Sequence, residues 1–198
     1  MKANTQRWYS AFVRIGVISD THGVLLPRVL ELFAGVDHIL HAGDIGDEDV
    51  LSELRTIAPV TAVAGNVDRF QLGDAGLTAR VTLSGARFFL THIIDRPRKP
   101  LSSVARELRR EPADFVIFGH SHLPHDEQLD GVWFFNPASA GPRRFDYPCS
   151  VGILEENSGV WRARHVGLDA RSEAVLARGE QMNQLSRARD SSPPDSQM

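Results

Sequence analysis

Cysteine is nearly absent from this chain. Cys149 is the single thiol in 198 residues, so no internal disulfide can form, and the chain suits a reducing compartment. With no base beside it in sequence, Cys149 reads as a packed thiol rather than a nucleophile. No apolar run reaches the ~20 residues needed to span a bilayer. The opening Met1-Lys2-Ala3-Asn4-Thr5-Gln6-Arg7 is polar and leads to no signal-type apolar core. These absences set the expectation of a cytoplasmic protein with no membrane partner. A basic excess is missing too: 22 Lys and Arg face 25 Asp and Glu, a net charge of -3. That removes a general electrostatic footprint for nucleic acid, while a nucleic-acid substrate in a locally positive cleft stays open. No internal repeat is visible.

What is present is enough for one domain with a core, since hydrophobic residues make up 42% of the chain. Residues 1–11 read as an N-terminal extension, 12–168 as the folded domain, and 169–198 as a partly helical to disordered tail. In that tail, Ala170 to Arg189 carries few large apolar residues, and Ser191 to Met198 is expected to be disordered.

Along the domain, short apolar runs alternate with amphipathic ones. Ile15-Gly16-Val17-Ile18 reads as a buried strand. Leu25 to Phe33 follows as a helix with Pro27 in its first turn. Val36 to Leu40 is a second strand. Asp47-Glu48-Asp49 places acids at the start of a second helix, which Pro59 stops. Val60 to Ala64 is a third strand. This β-α-β-α-β rhythm signals an α/β layered domain, whose ligands bind where strands end. The second half reads differently. Ser84-Gly85-Ala86 joins two strands of a hairpin, Leu101 to Arg110 is an amphipathic helix, and Phe115 to Phe118 and Val132 to Phe135 are strands. Ser150 to Glu155 and Val160 to Val166 form a closing hairpin.

The polar residues after these strands are metal-ligand types. Asp20 and His22 sit two apart, so an extended backbone gives them one face. Asp44, Asn66, His92, His120 and His122 follow other strands. A carboxylate has lone pairs on two oxygens, which allows Asp44 to bridge two ions. Asp20, His22 and His122 would complete one site, and Asn66, His92 and His120 the other. Two metals ~3.5–4 Å apart can clamp a phosphoryl group and ionise a bridging water at neutral pH. Mixed oxygen and nitrogen ligands suit manganese first, with iron, nickel or zinc as the other choices.

Asp20-x-His22, Gly43-Asp44, Gly65-Asn66-x-Asp68, the strand-terminal His92 and Gly119-His120-x-His122, in this order, resemble the calcineurin-like metallophosphoesterase superfamily. The compact length and Asn136-Pro137-Ala138-Ser139 resemble its small bacterial and archaeal phosphodiesterase branch. The resemblance spans roughly Arg14 to Val166. It implies a four-layer α/β/β/α sandwich. It also implies a metal-dependent phosphoesterase, foremost a phosphodiesterase, in which a metal-bridging hydroxide attacks a phosphate-ester small molecule or nucleotide. Asp44, Asn66 and His92 would then be catalytic, with Asn66 and Arg143 as substrate contacts. A homo-oligomer is compatible with this reading. Two positions depart from the pattern. Many relatives have a proton-donating His where this chain has Val67, and close relatives continue with Gly-His where this chain has Ile93-Ile94.

Other residues have plainer readings. His38, His125 and His165 are expected at the surface. His41 is either packed or a support for the ligands. Arg143 and Arg144 are either solvated or a phosphate contact. Asp68 is expected to orient the site loop. The rival function is a non-catalytic scaffold or binding module on the same fold, as in the retromer subunit resembling this branch, whose metal site is degraded. A zinc β-lactamase-like hydrolase fits less well, because its His-x-His-x-Asp-His cluster is missing.

Overall fold

The computed structural model describes residues 12–68 and 75–179. The expectations for residues 1–11 and for 180–198 lie outside the described residues.

The elements follow in chain order: β1 (Val13–Ile18), α1 (Pro27–Phe33), β2 (His38–His41), α2 (Glu48–Arg55), β3 (Val60–Ala62), β4 (Thr78–Leu83), β5 (Ala86–Thr91), β6 (Asp95–Arg96), β7 (Lys99–Pro100), α3 (Ser102–Arg110), β8 (Phe115–Ile117), β9 (Pro124–Leu129), β10 (Val132–Pro137), β11 (Ser150–Asn157) and β12 (Val160–Gly167). Residues 170–179 are helical and are called α4. Ten of the strands form two five-stranded sheets, ordered β12-β11-β1-β2-β3 and β4-β5-β8-β10-β9, while β6 and β7 pair as a small separate hairpin.

Side-chain alternation assigns the layers. In β1, Ile15 and Val17 face the second sheet and, with Leu40 of β2, join a cluster with its Phe88, Leu90, Phe115, Ile117 and Phe135. Ile18 points the other way, into a cluster with Val29 and Phe33 of α1 and Val50, Leu51 and Leu54 of α2. In β5, Phe88 and Leu90 face inward and Phe89 faces outward, where Val104 of α3 joins it. The order is therefore helices, sheet, sheet, helix, the four-layer sandwich expected from the sequence. Between the sheets the Phe88 and Phe115 rings stack at 4.6 Å, and Trp161 meets both edge-on, a favoured geometry for aromatic quadrupoles.

Local chemistry explains the boundaries. Pro27 opens α1, where its missing N–H costs nothing. The Asp47 side chain caps α2 by accepting from Asp49 N–H. Ser84 and Gly85 both have positive φ, as the tight β4–β5 turn requires.

Three expectations need correction. Pro124 to Glu127, around the His125 expected at the surface, belongs to the edge strand β9 paired antiparallel with β10. Its polar side chains suit an edge, and Asp130-Gly131, both at positive φ, makes the turn. His165 is not a surface residue: its ring stacks on Phe135 at 4.6 Å and its Nε2 lies 2.7 Å from the Asn136 carbonyl. Burial pushes its pKa down. His38 is half-buried, with Nε2 2.8 Å from Thr61 Oγ1.

Candidate metal centre

The parallel strands of both sheets end at one edge, and their connecting loops are stitched together there. Asp20 N–H donates to Gly43 O at 2.9 Å, His22 N–H to Asp44 O at 2.9 Å, and Gly119 N–H to His92 O at 3.0 Å. Gly141 N–H reaches Asp20 O at 3.1 Å. The loops of Asp20 and His22 are thus held to that of Asp44, and the loop of His120 to that of His92. Two glycines make the approach possible. A Cβ on Gly65 would lie 2.1 Å from Asp44 Oδ1, and one on Gly119 would lie 2.0 Å from Ser19 Oγ.

Five of the seven candidate ligands stand in left-handed backbone: Asp20, His22, Asp44, His120 and His122 have φ between 49° and 70°. Asp and His tolerate this region better than most residues, yet it still costs ~1–2 kcal/mol at each position. Such conformations persist where the surroundings over-determine them, and they cluster at functional sites.

The side chains converge. Asp20, His22 and His122 offer ligand atoms within 4.8 Å of one another, as do Asp20, Asp44 and His92. His122 Nε2 lies 3.1 Å from Asp20 Oδ1 and 3.4 Å from His22 Nε2. Asp44 sits between the groups, with Oδ2 3.9 Å from His22 Nε2 and Oδ1 3.3 Å from His92 Nε2. Asn66 Oδ1 is 3.1 Å from His92 Nε2 and 3.0 Å from His120 Nδ1. All seven residues therefore meet at one edge, with Asp20 common to both close-set groups. Asp20, Asp44, His92 and His122 are buried; Asn66 and His120 face solvent and form the mouth.

The donor set fits divalent metal ions. Two donors sharing an ion at bonds of ~2.0–2.2 Å stand about 3–3.5 Å apart. Asp20 Oδ1 and His122 Nδ1 are sealed from solvent without a hydrogen-bond partner. An anionic oxygen left so is costly unless a cation completes it. His92 Nδ1 lies 2.7 Å from Ala42 O; with the proton there, the Nε2 lone pair is aimed at the oxygens of Asp44 and Asn66. That is the arrangement of a metal-ligating histidine oriented by a carbonyl. A proton on His92 Nε2 competes with that lone pair, because Nε2 then donates to Asp44. Burial raises the Asp44 pKa, but hydrogen bonds from His92 and Val67 N–H outweigh it and hold the group down at about 2. Burial opposes charge on His92, but the Asp44 hydrogen bond reverses this and raises its pKa. His22 is pushed down by burial and then by the nearby Arg144 guanidinium.

A ring of polar groups supports the ligands. The Asp68 carboxylate accepts from the N–H groups of Gly65, Ile45 and Gly46 at 2.7, 3.0 and 2.9 Å, so it orients the loop as expected. His41 is fully buried. Gly43 N–H donates to its Nδ1 at 3.2 Å, and its Nε2 lies 3.0 Å from Thr21 Oγ1. The Thr21 hydroxyl donates to Ile45 O, so His41 Nε2 carries the proton and the ring is neutral. Burial accordingly lowers its pKa to about 4. Sequence reasoning missed Ser19, whose hydroxyl donates to Asp20 Oδ2 at 2.6 Å. It also gave no role to the Asn136–Ser139 turn. There Asn136 Nδ2 donates to Gly119 O, and Ser139 Oγ donates to Asp20 O.

The arginine pair is a correction. Arg143 turns away from the centre, donating to Tyr147 O at 3.0 Å, Asp169 Oδ2 at 2.5 Å and Ser172 Oγ at 3.2 Å. Its neighbour Arg144 reaches the mouth, with Nη2 3.3 Å from His22 Nε2. Adjacent side chains diverge, Arg143 to the carboxylate of Asp169 and Arg144 to the mouth.

Comparison with known proteins agrees with this geometry. The model of the calcineurin-like phosphoesterase superfamily domain matches residues 13–159. A protein of Methanothermobacter thermautotrophicus named probable metallophosphoesterase is 35% identical over 145 residues, covering 71% of this chain and 84% of that one. Phosphodiesterase YfcE of Escherichia coli K12 is 32% identical over 163 residues, covering 70% and 85%. Among solved structures, an archaeal phosphodiesterase matches with a TM-score of 0.63 at 26% identity, over 78% of this chain and 100% of that one. Vacuolar Protein Sorting 29 from Cryptosporidium parvum shares the fold, with a TM-score of 0.65 at 19% identity over 78% and 97%. A matching sandwich and a family model spanning most of the domain lead to one assignment: the chain belongs to the calcineurin-like phosphoesterase superfamily.

Proposed function

We propose that this protein hydrolyses phosphate esters, diesters foremost, with two divalent metal ions held by Asp20, His22, Asp44, Asn66, His92, His120 and His122. The observation that carries the reading is Asp20 Oδ1, a buried carboxylate oxygen with no hydrogen-bond donor amid converging lone pairs. When bound, the metals would neutralise phosphoryl charge and acidify water near neutral pH. Manganese is the first choice, with iron, nickel and zinc as the others.

The chain's own residues do the rest. Asn66 turns Oδ1 toward His92 and His120, which leaves its amide N–H groups for a phosphate oxygen at the mouth. Arg144 supplies a planar, permanently charged donor beside them. Asp44 stands between His22 and His92 as the carboxylate both can share. No proton comes from Val67, so an ester whose leaving group needs little help is the better substrate.

Metal-stripped protein should be inactive on mono- and diesters, and added Mn2+, Fe2+, Ni2+ or Zn2+ should restore diester hydrolysis. Turnover that ignores chelation would refute the metal mechanism. Metal loading without turnover on any ester would favour a binding module on this fold.

A further inference from the structure

The loop after the Asn136–Ser139 turn presents an aromatic ring that folding does not explain. Phe145 is 83% exposed and its φ is 51°. A bulky residue in left-handed backbone is an outlier. Here it gains little burial in return: among the described residues its one ring neighbour is Tyr147, at 5.7 Å and itself exposed. Phe145 directly follows Arg144, whose guanidinium reaches His22 at the mouth.

The loop is also braced. Arg143 is held by Asp169 and Ser172, and Asp146 pairs with Arg171. Both braces come from residues 169–172, beyond the 13–159 span of the family match. They flank Arg144 and Phe145 on either side, so the backbone that carries the exposed ring is tied on both sides.

We infer that this loop is a substrate platform, in which Phe145 stacks on a flat, nucleobase-sized aromatic arm of a phosphate ester whose phosphate meets Arg144. The inference rests on the phosphoesterase reading of the adjoining centre. An aromatic face binds any nucleobase by stacking, and the neighbouring arginine supplies the complement to phosphate. A protein partner is a poor fit for this patch. Two rings and a charge fall far short of the ~1,000 Å² expected of a specific protein interface.

The test is calorimetric binding to the metal-loaded full chain, with adenosine 5′-monophosphate and ribose 5-phosphate as probes. Both carry the same phosphate, and only one carries a base. The wild type should bind the nucleotide about tenfold more tightly. Phe145→Ala should erase that preference while leaving ribose 5-phosphate affinity unchanged, and Phe145→Trp should keep it. Equal wild-type affinities would overturn the inference, as would a preference untouched by Phe145→Ala or an equal loss for both probes. Ester hydrolysis with no Phe145-dependent preference would sink the platform alone. A Phe145-dependent preference in a protein that hydrolyses no ester would sink the phosphoesterase reading alone.

Discussion

Asp169 holds Arg143 at 2.5 Å, and so fixes the loop on which Arg144 approaches His22. Asp169 also caps the following helix by accepting from Ser172 N–H at 2.8 Å. Asparagine keeps that cap but loses the charge. Asp169→Asn should therefore leave the melting temperature nearly unchanged while raising KM for esters about two- to fivefold, the range of an exposed ion pair. Arg144→Gln should raise KM further, by about tenfold, because a charge-assisted bond to phosphate is lost. Steady-state kinetics of the two variants checks this, with kcat unchanged in the first.

Asp44 faces both histidine groups, so its substitution should be felt on both. Asp44→Asn removes the anionic charge between His22 and His92 and offers a weaker ligand. Metal content measured by elemental analysis should fall, and diester turnover should fall at least a hundredfold or so. Near-normal turnover in a folded Asp44→Asn protein would contradict the two-metal mechanism.

Val67 sits at the mouth, 40% exposed, and its backbone N–H donates to Asp44 Oδ1 at 3.0 Å. Its side chain has no proton to offer a leaving alcohol. General acid catalysis is typically worth ~10²–10⁴-fold. Rates should therefore fall steeply as leaving-group pKa rises, with nitrophenyl esters fast and alkyl esters slow. Val67→His should gain most on alkyl esters. A flat rate series, with Val67→His inert, would place the proton source elsewhere.

His41 gives a pH prediction for stability. Its ring is neutral in the fold, with a pKa lowered from 6.5 to about 4 by burial. Below pH 6.5 the unfolded chain takes up a proton that the folded chain refuses. This contribution to stability is present above pH 6.5 and is lost as pH falls toward 4. Its size is on the order of 3 kcal/mol. Denaturation of the metal-free protein across this window should show a shallower pH dependence for His41→Asn than for wild type. Identical slopes would mean that other groups set the acid limb.

The convergence of the candidate ligands was legible in the sequence because they lie at or within a few residues of the ends of apolar runs, and strand ends in α/β sheets gather at one edge. The rest failed for identifiable reasons. Strand β9 is a polar edge strand, so hydrophobic alternation gave it no voice, and only Asp130-Gly131 marked its hairpin. His165 did carry a signal: in β12 it alternates with Trp161 and Ala163, which pack between the sheets. Read at a period of two, it belongs inside. The choice between Arg143 and Arg144 was invisible, because Asp169 lies far along the chain and nothing local announces it. The left-handed backbone at the ligands was equally hidden, since Asp-x-His reads as extended until the loops are stitched together.

The position of β1 has a consequence for the order of assembly. It is the first of the described strands to be synthesised, yet it lies inside its sheet, with β2 on one side and β11 on the other. Val13 pairs with Glu156, so one flank of β1 waits until nearly the whole domain has left the ribosome. The Ser19 and Asp20 carbonyls wait as well, for Ala140 and Gly141. A nascent chain can build β1, β2 and β3 by local crossovers, but its first ligand loop stays unanchored until the end. Ion capture is then a late event, and a chain stalled before β11 exposes an open strand edge where the finished protein has its interior.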